Sequence, residues 1–313
     1  MPGNPTKPRH PDNPVGQTKR IRQARGAWTN HIRPIRRWLL EQLEDIPTRR
    51  TEANVKHVFY APNSGQLAPP ETWHGTLTLN TYEYQISARR LEEIVQAIAE
   101  RLGDAPPRDA LIDRVRAAYE QGTGDEVENL ISITDGQYTR DITDVIQSDT
   151  WQRRVAMIES RVFEEMQGFQ GDTGRELSRV LREGVENGLN PRDVARDIRR
   201  RFNVSQSRAE RIARTEITQS YRRARMDEDS DANERLGIRT RLLWFSALSP
   251  TTRESHAARH GNTYTQEEVR EFYARDGNAI YCKCSQSSVL VDSDGNPVNP
   301  GFVEEVRARR TQR

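Results

Sequence analysis

Residues 207–228 read SRAERIARTEITQSYRRARMDE. Ala209, Ile212, Ala213, Ile217, Tyr221 and Ala224 recur three and four apart, which predicts a helix with a narrow apolar face. Ser207 and Glu210 have the spacing of a capping box, so the helix is expected to start there. Between Arg199 and Arg225 stand nine arginines and two glutamates, and then acids follow at Asp227, Glu228, Asp229, Asp231 and Glu234. A helix dipole prefers the opposite order, so the pattern points to a docking surface rather than to local helix stability. A solvated charged helix is the plainer alternative.

Upstream, Thr173 and Glu176 have the same capping-box spacing, Gly188 suits a helix C-terminus, and Asn190-Pro191 suits the start of the next helix. Two short helices in a tight hairpin are therefore expected over 173–202, the outline of a DNA-reading helix-turn-helix as well as of a structural hairpin. Helices are also expected at 87–102, after Pro106-Pro107 up to Gly122 and Gly124, near 125–133 and near 138–167. Residues 47–85 read as irregular chain with one or two strands.

Downstream, LLWFSAL (242–248) predicts a buried strand. His256 and His260 follow four apart, and the only two cysteines, Cys282 and Cys284, sit in YCKC. Helical spacing would put both histidines on one face, and an extended chain would point both thiols one way. Two His and two Cys match the tetrahedral preference of zinc, although CxC is not the spacing of a common finger. Residues 287–305 predict a strand, a turn at Asp294-Gly295-Asn296 and a return strand, with a basic tail after them.

The N-terminal 37 residues hold nine Lys or Arg against the single acid Asp12. Prolines at 2, 5, 8, 11 and 14 favour extended chain. Trp28, Ile32, Ile35 and Trp38 alternate with Arg20, Arg22, Arg25, Arg33, Arg36 and Arg37, a composition suited to nucleic-acid phosphates. The alternative is an amphipathic helix near 35–45 packed on the protein's own body.

The whole chain of 313 residues is 34% hydrophobic and 30% charged, with a formal net charge of +2. Only four of its 48 basic residues are lysines, and arginine is the better bidentate partner for phosphate and carboxylate. The polar, proline-rich start lacks the apolar run of a secretory leader, and no apolar stretch is long enough to span a membrane. Cytosolic, reduced or metal-bound thiols are expected. The fold class read from all this is mainly α: a helical body, a small α+β C-terminal module with short strands and a zinc-knuckle-like clasp, and an extended basic N-terminal arm. The expected divisions are an arm at 1–46, a helical domain with a short strand region at 47–170, a domain at 171–291, and a hairpin with basic tail at 292–313.

From about Thr173 to Val291 the sequence resembles the Mu F-like phage head morphogenesis family of minor head proteins. The resemblance rests on the Ala213-Arg214-Thr215-Glu216 core, Trp244 in an aromatic strand, Thr252, Arg253 and His256 in SPTTRESH, then Gly261 and the closing CKC. Ser249 stands where the family usually has Asp, and Thr251 where it usually has a base. The resemblance implies a protein of the virion head, assembled in the host cytoplasm. It also implies association with the portal, with major capsid or scaffold protein and, without sequence preference, with packaged double-stranded DNA. Its role would be in procapsid assembly, packaging or DNA delivery, with no catalysis. Arg222, Arg223 and Arg225 join the N-terminal arginines as expected contacts. The rivals are a sequence-specific DNA-binding regulator built on the 173–202 hairpin, and a zinc-dependent nuclease. Deaminase and metalloprotease signatures are absent, since no P-C-x-x-C occurs and Ala257 follows His256.

Overall fold

A computed structural model describes residues 3–60, 72–103 and 106–312. The elements in order are α1 (Thr18–Glu44), β1 (Thr48–Tyr60), β2 (Thr72–Tyr84), α2 (Ala88–Gly103), α3 (Pro106–Ile133), α4 (Ile142–Gln147), α5 (Asp149–Glu186) and α6 (Pro191–Leu236). The C-terminal module follows with β3 (Thr240–Phe245), α7 (Glu254–Ala257), β4 (Thr263–Tyr264), α8 (Gln266–Ala274), β5 (Ser285–Leu290) and α9 (Pro300–Ala308). The protein is mainly helical, as its periodicities predict.

Two compact units divide the chain. One comprises Met1–Thr29, Ala105–Gln167 and Gln206–Arg313, the other Asn30–Asp104 and Gly168–Ser205. Each is built from separated stretches, whereas the sequence reading divides the chain consecutively. In the second unit β1 and β2 pair antiparallel from Thr48↔Tyr84 to Tyr60↔Thr72. Ile35, Leu39, Ile98, Leu102, Phe169, Leu177, Leu181, Ile198 and Phe202 form buried positions of its helices. Gly188 takes the left-handed backbone that the predicted helix end requires, φ +58°, and the Asn190 side chain accepts from Arg192 N at 3.0 Å.

In the first unit β3 is the centre of a three-stranded antiparallel sheet ordered β4-β3-β5. Its register runs from Thr240↔Leu290 to Phe245↔Ser285 on one side and pairs Leu242 with Tyr264 on the other. Strand alternation sends Leu242 and Trp244 to one face, into a cluster with Met226, Val269, Cys282 and Cys284. Leu243 and Phe245 enter the opposite cluster with Val289, Phe302, Val303 and Val306. Burial on both faces explains why LLWF is a continuous apolar run rather than an alternating one.

Several expectations need correction. The basic arm is irregular up to Gln17, with turns at 11–15; from Thr18 it is a single 27-residue helix with Trp28, Ile32, Ile35, Leu39 and Leu43 buried. Even the irregular part is bound within its unit: Gly3 N donates to Ser132 O, Thr6 N to Asn129 Oδ1, and Val15 N to Lys283 O. Gly122 and Gly124 do not end a helix but lie inside α3. Helix α5 passes through Thr173, whose hydroxyl donates back to Phe169 O at 2.9 Å instead of capping. Helix α6 runs 46 residues without a break at Asn203 or Ser207. The pair of short helices expected at 173–202 is thus the meeting of two long ones, which removes the helix-turn-helix outline. The return strand after Asp294-Gly295-Asn296 is only one bridge, Val291↔Pro297, and the tail is α9 followed by a 3₁₀ turn.

Gly122 shows how closely α3 packs against α6. A Cβ there would lie 2.3 Å from Tyr221 O, so only glycine lets α3 approach α6 this closely. Gly26, inside α1, has nothing within 4 Å of the same added atom. Gly122→Ala should therefore destabilise the protein by about 1–3 kcal/mol through overpacking. Gly26→Ala should stabilise it by up to about 1 kcal/mol through helix propensity. Urea midpoints of the two variants check both signs.

Candidate metal centre

His256, Cys282 and Cys284 come together on the Trp244 face of the sheet. Their ligand atoms lie within 4.8 Å of one another, and all three residues are buried. His256 sits in the single turn α7, whose backbone starts from Arg253 O. Cys282 and Cys284 lie just before β5, following Tyr281, which adopts left-handed backbone at φ 56°. The CxC spacing puts both thiols on one side as expected. Both Sγ atoms are 3.5 Å from the same atom, His256 Nδ1.

The imidazole is oriented from its far side. Asn278 Nδ2 donates to Phe272 O, which turns Asn278 Oδ1 towards His256 Nε2 at 3.3 Å. The Nε2 proton is thus committed to Asn278, and the Nδ1 lone pair faces the sulfurs. Trp244 closes the pocket: its ring stacks on Tyr273 and meets His256, Tyr264 and Phe272 edge to face. Tyr273 OH lies 3.6 Å from Cys282 Sγ, and Ser246 Oγ lies 3.7 Å from Cys284 Sγ.

The fully buried Arg222 donates to Cys284 O and lies over the Tyr273 ring at 4.2 Å. Burial pushes the Cys282 thiol up, but a bond from Cys284 and the Arg222 charge outweigh it and hold that thiol low. Its hydrogen bond to Cys282, with burial, pushes Cys284 up. The first proton therefore leaves the pair easily and the second reluctantly.

His260 does not join this group. Its Nδ1 accepts from Ser246 N at 3.0 Å, its ring meets Phe245 on the other side of the sheet, and burial holds it below its ordinary value. The helical turn ends at Ala257, so the four-residue spacing does not put both histidines on one face. The expected four-residue ligand set becomes three. Asn278, Tyr273 and Ser246, which surround it, had no distinguishing sequence signal.

Of the other motif residues, Arg253 braces this centre. Arg253 donates to the carbonyls of Gly277, Asn278 and Ile280 at 3.0, 2.8 and 3.0 Å. That loop carries Asn278. Gly261 has φ +73°, and a Cβ there would stand 2.4 Å from Arg307 Cα in α9. Arg214 lies over the Tyr281 ring at 5.0 Å and pairs with Glu210, which also faces Arg25. Glu216 pairs with Arg161, and the buried Thr215 hydroxyl has no hydrogen-bond partner among the described residues.

The expected contact arginines divide. Arg22, Arg25, Arg33, Arg36, Arg37 and Arg223 are exposed, and Arg20 is half-buried against Gln17 and Gln121. Arg222 and Arg225 are corrected: both are buried, and Arg225 is committed to Glu126 at 2.7 Å and to Ser287. The acids that follow them are likewise used inside the unit. Asp231 receives a two-pronged bond from Arg154, Glu228 holds Arg140 and Tyr138, and Asp229 accepts from Thr240 and Gln266.

A sequence model of the family described as Phage Mu protein F like protein matches residues 175–287. That stretch contains the Arg214-Thr215-Glu216 core, Trp244, Arg253, Gly261 and all three clustered ligands, so the resemblance is borne out there. No curated protein and no solved structure matches the chain. Among the described residues no helix is long and apolar enough to cross a membrane.

Replacing Arg253 tests the brace. Arg253→Ala should lower stability by about 1–3 kcal/mol and speed amide exchange in residues 277–281. Arg253→Lys should recover less than half of the loss, because one ammonium cannot serve three divergent carbonyls. An unchanged urea midpoint in Arg253→Ala would remove this role.

Proposed function

We propose that this protein is a phage head morphogenesis protein that works beside the portal during assembly, packaging or delivery of DNA, and that its role is architectural. The family match over residues 175–287 carries this reading. Supporting it, the exposed arginines of α1 offer cations to a partner or to DNA phosphates. The groups around the His256 cluster are Asn278, Tyr273, Ser246 and Arg222, none of which is a carboxylate able to act as a general base. The expected destination is the virion head, reached from the host cytoplasm, with portal, capsid or scaffold protein and packaged DNA as partners.

Within that role the His256, Cys282 and Cys284 group is read as a zinc site. Two ligands on one tetrahedral zinc, S at about 2.3 Å and N at about 2.0 Å, stand about 3.5 Å apart. Both S···N separations here have that value. One imidazole lone pair can accept only one S–H, so two sulfurs converging on it suit a shared cation better than two hydrogen bonds. Zinc would fasten the Cys282–Cys284 loop to α7, and solvent or a neighbouring side chain would supply the fourth donor.

Elemental analysis of pure protein should give one zinc per chain, lost in Cys282→Ser, Cys284→Ser and His256→Ala but retained in His260→Ala. Substoichiometric metal in the unaltered protein would remove the zinc reading. Co-expression with the portal protein from the same phage should yield a complex that survives size-exclusion chromatography, and purified virions should contain the chain. Its absence from both would overturn the head assignment.

A further inference from the structure

A second site lies in the first unit, on the flank of α6. A cavity of about 500 Å³ is lined by eleven residues, among them Arg161, Arg222, Arg223, Arg270, Asp227 and Tyr273. Four guanidinium groups thus face one carboxylate. That carboxylate is already engaged, accepting from Tyr119 OH at 2.7 Å and lying 3.7 Å from Arg223. Arg161 is paired with Glu216 outside the lining.

Two arginines remain without a carboxylate among the described residues. Arg270 donates only to the amide oxygen of Gln266. Arg222 is 3% exposed, bonds a backbone carbonyl, and its Nη2 has no hydrogen-bond partner among the described residues. The Arg222 charge is set against the Cys282 and Cys284 sulfurs on one side, and its Nη2 edge borders the cavity, where an anion could engage it.

We propose that this cavity binds a phosphoryl oxyanion, with Arg222 as its floor and Arg161, Arg223 and Arg270 as its rim. The charge count favours phosphate over carboxylate. The lining holds four guanidinium groups against one carboxylate, which suits a multiply charged phosphate better than a singly charged carboxylate. Planar guanidinium forks also suit the spacing of phosphate oxygens. The volume admits a nucleotide-sized group, so the phosphate can come from a free nucleotide or from a nucleic-acid strand. The proposal rests on the cavity's own residues and is independent of the head assignment.

Calorimetric titration of the full chain at low salt tests it with four probes: inorganic pyrophosphate, oligothymidylate with a 5′-phosphate, the same strand without it, and an oligoglutamate peptide. Arg223→Ala with Arg270→Ala, both exposed positions whose folding circular dichroism can verify, should weaken phosphate binding about tenfold or more. Arg200→Ala, another exposed arginine, should leave it unchanged. Equal binding of both strands would assign the backbone as the source, and preference for pyrophosphate and the 5′-phosphate would assign the terminal group. Three results would overturn the proposal: no binding of any phosphate probe, binding indifferent to the double variant, or tighter variant-sensitive binding of oligoglutamate.

Discussion

Burial of β3 on both faces is the constraint on which the C-terminal module depends. A six-residue strand with only one short edge neighbour and one full neighbour has little strength of its own. Trp244 and Leu242 anchor the side that carries the His256, Cys282 and Cys284 group. Leu243 and Phe245 anchor the side closed by α9. Removing either covering layer would expose apolar side chains and leave the strand half solvated. The cluster of potential ligands is therefore also a packing element, since both cysteines are counted among the buried apolar groups around Trp244.

The arginine-rich pattern has two distinct uses. Along α6, Arg222 and Arg225 are interior, held by an aromatic ring, a carbonyl and Glu126, while Arg223 between them is exposed. Interior ion pairs of this sort rarely add much stability over apolar packing, but they fix which residues must meet. Burial pushes the Glu126 carboxyl up and the Arg225 charge opposes it, so the pair selects the register of α3 against α6 and β5. The acidic run after Arg225 has the same explanation. Its order opposes the dipole of a helix because its partners come from other elements.

Much of this was legible in the chain. The apolar run LLWF announced a buried strand, Gly188 and Asn190 marked the break between α5 and α6, and CxC spacing put two thiols on one side. Other features depended on tertiary contacts that no local pattern carries. Thr173 and Ser207 have capping-box spacing yet lie inside long helices, because packing outweighs the weak preference of a cap. Gly122 looked like a terminator, and its actual role is to admit the Tyr221 carbonyl. His260 had helical spacing from His256, but the helix between them is a single turn. The arginine cavity could not be read at all, since Arg161 and Arg270 are far from Arg222 in sequence.

The closure of the Leu243 and Phe245 face by Phe302, Val303 and Val306 bears on the order of folding. These residues follow β3 by more than fifty positions, and the segment from Gly3 to Gln17, which belongs to the same unit, precedes it by more than two hundred. Lys7 joins the two segments directly, pairing with Glu305 and lying over Phe302. The module's hydrophobic face is thus closed by contacts of high sequence separation, whose loop-closure entropy must be met before they form. Loosening of α9 alone would expose Leu243 and Phe245, an apolar patch of the kind that chaperones and proteases recognise.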